Sequence, residues 1–270
     1  MAEDRTPKRT HVVAVSNQKG GEGKTTTTVN LAASLAAGEH RVLVVDADPQ
    51  SNATSALGYP RGAASRGTYE VLVQAARAAD VIVPTDLERL SLMPATPDLA
   101  GAEVELVDAP QRERALARGL APLRAEGTFD FVFIDCPPSL GLLTLNALVA
   151  ADTVLVPMQA KYFSLEGLSA LMGTVESVRA HFNPALTLEG ILFCLHDQRT
   201  NLARQVVTEV REHFGGAVYD TTIPVNIRLS ESPSFGKPAL LYDIASRGAQ
   251  AYLALAREFL ARRREEAASP

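Results

Sequence analysis

The chain has 270 residues, 46% hydrophobic and 21% charged, with a formal net charge of −5. That balance excludes a disordered chain, and two cysteines, Cys136 and Cys194, exclude a disulfide framework or a four-cysteine metal site. No apolar stretch approaches the ~18 residues of a spanning helix, and residues 1–10 carry no hydrophobic signal core, so a cytoplasmic setting is expected.

In chain order, 11–16 (HVVAVS) is a short β-branched apolar run, as expected for a strand buried on both faces. A glycine-rich turn follows. Residues 25–37 then place Leu31 and Leu35 on one helical face, and Gly38 supplies the stop. The run 41–46 (RVLVVD) reads as a second buried strand, which makes 11–46 a βαβ unit and implies a parallel sheet. Further strands are expected at 129–135, 153–157 and 188–195. Helices are expected at about 97–106, 110–125, 142–150, 164–181, 199–214 and 246–264. The breaks at 58–67 and 136–141 read as loops rather than linkers. The expected fold is α/β: a single doubly wound, mostly parallel sheet flanked by helices over 11–264. Residues 1–10 and 265–270 are expected to be flexible.

Residues 19–26 (KGGEGKTT) stand between the first strand and the first helix. The ordinary P-loop has a glycine where this chain has Gln18, so that pattern fails by one residue. Three glycines, Gly20, Gly21 and Gly23, still allow backbone N–H groups to cradle phosphate oxygens, and the helix start adds its positive dipole end. Lys24 is then expected to reach the β/γ-phosphates of a nucleotide and the Thr25 hydroxyl to coordinate Mg²⁺, with Thr26 closing the cradle.

With Lys19 included, KGGxGKTT resembles the deviant Walker A motif of the ParA/MinD branch of P-loop ATPases. That resemblance implies ATP and Mg²⁺ as ligands and a nucleotide-sandwich homodimer. It also implies that Lys19 reaches across to the partner's phosphates, as an arginine finger does elsewhere. It implies that Asp48, in 44–50 (VVDADPQ), orients the attacking water, with Asp46 nearer the metal. Asp135, at the end of 133–139 (FIDCPPS), resembles the Walker B carboxylate on the Mg²⁺ side.

The segments 140–147 (LGLLTLNA), 162–168 (YFSLEGL), 197–201 (DQRTN) and 223–233 (IPVNIRLSESP) resemble the short chromosomal ParA, or Soj, proteins. The likeness runs from about residue 11 to 255. It implies partitioning of a chromosome or plasmid with a ParB-type partner, on the nucleoid, and duplex DNA bound without sequence preference. Arg199 and Arg228 occupy matching positions for DNA contact, with Lys237 and Arg247 as lesser candidates. Basic residues outnumber acidic ones in 199–264, although the chain as a whole is acidic. Pro224 and Asn226 fall where such chains pass near adenine. Ten residues before the first strand leave no room for a helix-turn-helix domain, so operator recognition is not expected.

A MinD-like membrane ATPase is the alternative within the same branch, but 265–270 has no apolar face, so no membrane partner is expected. A hydrolysis-impaired regulatory nucleotide-binding protein is the other, motivated by Glu22. Three positions depart from the family pattern: Glu22 for valine, Lys161 for glutamate, and Val225 for a basic residue. A carboxylate within ~4–6 Å of phosphate oxygens repels them. Weaker ATP retention than in a Glu22→Val variant is therefore expected, unless a lysine or arginine pairs with Glu22.

Overall fold

The computed structural model describes residues 10–196 and 201–268. Seven strands form one sheet: β1 (His11–Val15), β2 (Val42–Asp46), β3 (Val83–Pro84), β4 (Leu90–Met93), β5 (Phe131–Asp135), β6 (Thr153–Met158) and β7 (Thr187–Phe193). Their order is β3-β4-β2-β5-β1-β6-β7, parallel throughout except for the β3–β4 pair. The expected doubly wound α/β fold is the observed one.

Alternate residues of the central strands face two separate cores, as the period-2 geometry of a strand requires. On one side Val12, Ala14, Val132 and Ile134 pack against α5 (Ala115–Glu126), α6 (Leu142–Ala150), α7 (Tyr162–His181) and α8 (Asn201–Phe214). On the other, Val13, Val15, Phe131 and Phe133 meet α1 (Lys24–Ala37) and α11 (Arg247–Ala268) through Leu31, Leu35, Tyr252 and Phe259. Shorter helices, α2 (Asn52–Ala56), α3 (Thr68–Leu72), α4 (Ala102–Glu105), α9 (Ile227–Glu231) and α10 (Ala239–Tyr242), fill the connections. With parallel strands, the loops after β1, β2, β5 and β6 all open on one edge of the sheet, where such folds place ligands.

Several elements differ from the sequence reading: α2, α3, α9 and α10 were not expected, and α11 runs on to Ala268, into the tail expected to be flexible. The β3–β4 pair was not expected, because Leu90–Met93 offers only four residues of weak alternation (LSLM). The helix expected at 97–106 is a 3₁₀ turn, Pro97–Gly101, followed by the single turn of α4.

Both lateral edges of the sheet are shortened or partly covered. The outer strand β3 has two residues and contains Pro84. The C-terminal part of β7 is bonded on its outer side by the segment after α8, with Tyr219 N–H donating to Ile191 O at 2.9 Å and Ile223 N–H to Phe193 O at 2.8 Å.

One close approach braces the site from behind. A Cβ on Gly67 would sit 1.9 Å from the Pro94 carbonyl oxygen, and the next residue, Thr68, donates its hydroxyl to Asp46 O at 2.7 Å. Gly67→Ala must therefore move backbone rather than a side-chain tip. We expect a loss of about 3 kcal/mol, or a Tm lower by roughly 6–12 °C, in thermal unfolding of the nucleotide-free protein. An unchanged Tm would show that the 66–68 turn yields freely.

Candidate nucleotide-binding site

The loop between β1 and α1 owes its course to glycine. Gly23 holds φ at +95°, and a Cβ there would meet Cys194 Cβ at 3.1 Å. At Gly20 and Gly21 a Cβ would meet nothing within 4 Å, so the cradle has open space in front of it. That space is the floor of a cavity of about 540 Å³. Gly20, Gly21, Gly23, Lys24, Thr25 and Thr26 line one wall, Asp48, Gln50 and Asn52 a second, and Ile223, Leu229, Ser232, Pro233 and Lys237 a third.

Lys24 is 6% exposed, and its Nζ donates to Lys19 O at 2.8 Å. Burial lowers its pKa, against the opposing pull of Asp135, Cys136, Asp48 and Glu22. A buried ammonium held at the floor of an open cradle suits an anionic group. Thr25 Oγ1 donates to Asp135 Oδ2 at 2.8 Å, and Thr28 Oγ1 to Asp135 Oδ1 at 3.0 Å. Hydroxyl and carboxylate oxygens of this kind are the donor set of a hard divalent cation. Asp135 is fully buried, and burial followed by the charge of Asp46 pushes its pKa well up. The cradle fits a nucleotide triphosphate, and the oxygen set fits Mg²⁺.

Asp48 lines the cavity, and its Oδ1 accepts the Gln50 N–H at 2.9 Å, which fixes the carboxylate on a tight turn. Asp46 does something else. Its Oδ2 accepts Thr54 Oγ1 at 2.6 Å and Thr54 N–H at 2.8 Å, and its Oδ1 accepts Asp48 N–H at 3.1 Å. Asp46 is fully buried behind the turn that carries Asp48 and is the register partner of Asp135 across the β2–β5 pair, so these contacts make it a brace for that turn beside the oxygen set.

Glu22 is placed by contacts outside its own loop. Its carboxylate does not line the cavity but turns to the segment after β6, accepting the Gln159 N–H at 2.5 Å and the Ser164 hydroxyl at 3.2 Å. No lysine or arginine is among these partners; an amide and a hydroxyl hold the carboxylate outside the cavity lining. Lys19 lies along the same segment, with Nζ donating to Phe163 O and standing 5.4 Å from the Phe163 ring centroid.

Residues 10–188 match the AAA domain family. The chain is 54% identical, over 93% of its length and 88% of the relative's, to the chromosome partitioning protein ParA of Myxococcus xanthus. It is 52% identical to the sporulation initiation inhibitor protein Soj of Bacillus subtilis, over 93% of this chain and 98% of that one. The chain belongs to the ParA/Soj family of ATPases. Among solved structures, a Mycobacterium smegmatis protein described as cobyrinic acid a,c-diamide synthase with bound ADP and magnesium superposes with a TM-score of 0.81. Its identity is 39%, over 93% of this chain and 94% of that one. The Pyrococcus furiosus cell division ATPase MinD gives a TM-score of 0.76 at 25% identity, covering 93% and 98% of the two chains.

The remaining residues expected of a ParA/Soj ATPase fall in four places. Arg199 lies outside the described residues. Arg228 and Arg247 share one shallow surface depression with Val225, Asn226, Ile227 and Glu231. Arg228 is paired there, to Glu231 at 2.9 Å and Asp243 at 3.3 Å, with Tyr242 beneath its guanidinium. Lys237 is not with them; it stands on the wall of the nucleotide cavity, which the sequence did not foreshadow. Pro224 and Asn226 flank that wall without lining it. Pro224 bridges to His196, and Asn226 caps α9 by accepting the Leu229 N–H at 3.3 Å. Cys194 does line the cavity, a position no motif revealed, and burial pushes its thiol up to about 12, so it serves as packing rather than as a nucleophile.

No helix among the described residues is long and apolar enough to cross a membrane.

Proposed function

We propose that this chain is the ATPase of a DNA-partitioning system, which binds ATP with Mg²⁺, pairs with a second copy, and then binds duplex DNA without sequence preference. A ParB-type partner and DNA stimulate an otherwise weak hydrolysis. The observation that carries this reading is the convergence of Lys24, Thr25 and Asp48 on one open cavity. It is supported by identity near one half to ParA and Soj proteins along more than nine tenths of the chain.

ATP is the substrate. Lys24 and the loop N–H groups hold its β- and γ-phosphates, and the 223–233 wall receives the nucleoside end. Asp48 accepts a hydrogen bond from a water aligned on the γ-phosphorus. The water oxygen bonds to that phosphorus as the bridging oxygen of the β-phosphate departs, giving ADP and inorganic phosphate. Mg²⁺, when bound, neutralises charge on the phosphate oxygens, and Thr25 with Asp135 would hold it. Lys19 must leave Phe163 to serve a second copy's phosphates.

A chain of net charge −5 repels polyanions as a monomer, and pairing doubles the cationic contacts along one duplex. Arg228 and Arg247 are the proposed contacts among the described residues, and Arg199 a third outside them. Exposed ion pairs such as those of Arg228 are weak, so a phosphate can displace its carboxylates. The reading is tested by size exclusion with ATP and Mg²⁺ followed by DNA titration of the same sample. Dimer formation and DNA binding are both expected only with ATP. Arg228→Ala should flatten the log affinity against log salt slope by ~0.9 per phosphate contact, and by twice that in a symmetric dimer. It should weaken all sequences alike. An ATP dimer of Arg228→Ala with unchanged salt slope would remove Arg228 from the DNA face.

A further inference from the structure

Between Gln18 and Lys24 the phosphate loop has two side chains larger than glycine, those of Lys19 and Glu22. Gly21 and Gly23, on either side of Glu22, both have positive φ, at +76° and +95°. Such a stretch has large conformational freedom in solution, and any order it shows must come from outside its own backbone.

The side-chain contacts of Glu22, Gln159 and Asn17 run to one place, the end of β6 and the first turn of α7. Glu22 is 5% exposed, and its carboxylate accepts the Gln159 main-chain N–H and the Ser164 hydroxyl. The Gln159 side-chain amide returns the tie by donating to Gly21 O at 2.9 Å. Asn17 extends the lacing, accepting the Lys19 N–H at 3.1 Å and donating to Pro157 O at 2.8 Å. Strand β6 pairs directly with β1, so their C-terminal ends lie side by side and the two connections abut. A buried carboxylate satisfied by a main-chain amide and one hydroxyl tolerates little displacement, because losing either bond leaves charge stranded.

We propose that Glu22 is a positioning residue for the ATP site: its buried carboxylate fastens the glycine-rich loop to Gln159 and Ser164, holding the phosphate cradle in its binding shape before nucleotide arrives. The proposal rests on the ATP reading above. It reverses the sign that charge repulsion alone gives, since removing the carboxylate should weaken binding rather than strengthen it. Glu22 touches no reacting atom, so its effect belongs to affinity and KM and not to kcat.

The test uses the full chain and a fluorescent ATP analogue with Mg²⁺. Glu22→Val is expected to weaken binding and raise the KM for ATP roughly tenfold, the scale typical of a lost supporting contact, with kcat held within about twofold. Glu22→Gln keeps an acceptor for the Gln159 amide and should stay within about threefold of the parent. Ser164→Ala should weaken binding by about threefold, and adding it to Glu22→Val should cost nothing further, since the two act through one contact. Failure of the parent to bind the analogue would sink the ATP reading itself. With a binding parent, three results would overturn the proposal: equal or tighter binding by Glu22→Val, additive effects in the double variant, or a shift in the urea midpoint alone with KM unchanged. Should Glu22→Val fail to fold, Ser164→Ala carries the test, and unchanged affinity in that variant would overturn it.

Discussion

Lys24→Ala is expected to lose ATP binding by about 100-fold or more, equivalent to roughly 3 kcal/mol for a charged donor removed from a buried phosphate contact. The lysine is almost wholly buried at the floor of the cradle, and burial disfavours its charge. Triphosphate oxygens would add charge-assisted hydrogen bonds to this buried ammonium, so affinity depends steeply on this one group. Equilibrium binding of a fluorescent ATP analogue measures the loss. Removing the side chain takes away one hydrogen bond to Lys19 O, so the urea midpoint of the nucleotide-free protein should move little. Retention of parental affinity would mean that the phosphates lie elsewhere.

Asp48→Asn is expected to lower turnover by roughly 10²–10³-fold while leaving ATP affinity within about threefold, the range for removal of a positioned base. The asparagine oxygen still accepts the Gln50 N–H, so the turn should survive and the charge alone is removed. Asp48→Ala should additionally trap an ATP-bound dimer, seen as a larger species in size exclusion that persists for hours. Parental turnover in either variant would take the water-orienting role away from Asp48. Asp46→Asn should behave differently. Its oxygens grip Thr54 and the Asp48 amide, so that change perturbs folding as well as turnover.

What the sequence made legible was the part of the site whose chemistry is local. KGGEGKTT between a buried strand and a helix constrains the phosphate loop within eight residues, and the strands 11–16, 41–46, 129–135, 153–157 and 188–195 all have counterparts in the sheet. The orientation of Glu22 was not legible, because its partners Gln159 and Ser164 are supplied by a connection more than 130 residues away. In VVDADPQ the resemblance gave Asp48 the water and Asp46 a place nearer the metal, but the hydrogen bonds of the two carboxylates were not legible. Those bonds come from Thr54 and the Asp48 main chain, which take up both oxygens of Asp46. Lys237 read as a surface cation because nothing local told which side of the 223–237 loop faces the cavity. Strand β4 escaped notice because four residues are too few to establish a period, and its place was won by pairing with β2.

The shortened and partly covered margins of the sheet bear on how this protein can meet others. An open strand is a template on which another chain can grow a ladder of main-chain hydrogen bonds, with little regard to sequence. Here one margin ends in a two-residue strand whose Pro84 has no N–H to offer, and the other is already taken in part by the main chain at Tyr219 and Ile223. Recruitment by strand addition is thereby disfavoured at both sides. Recognition falls to side chains, which can be presented or withdrawn by small movements of a loop, so association can be gated by whatever ligand those loops hold.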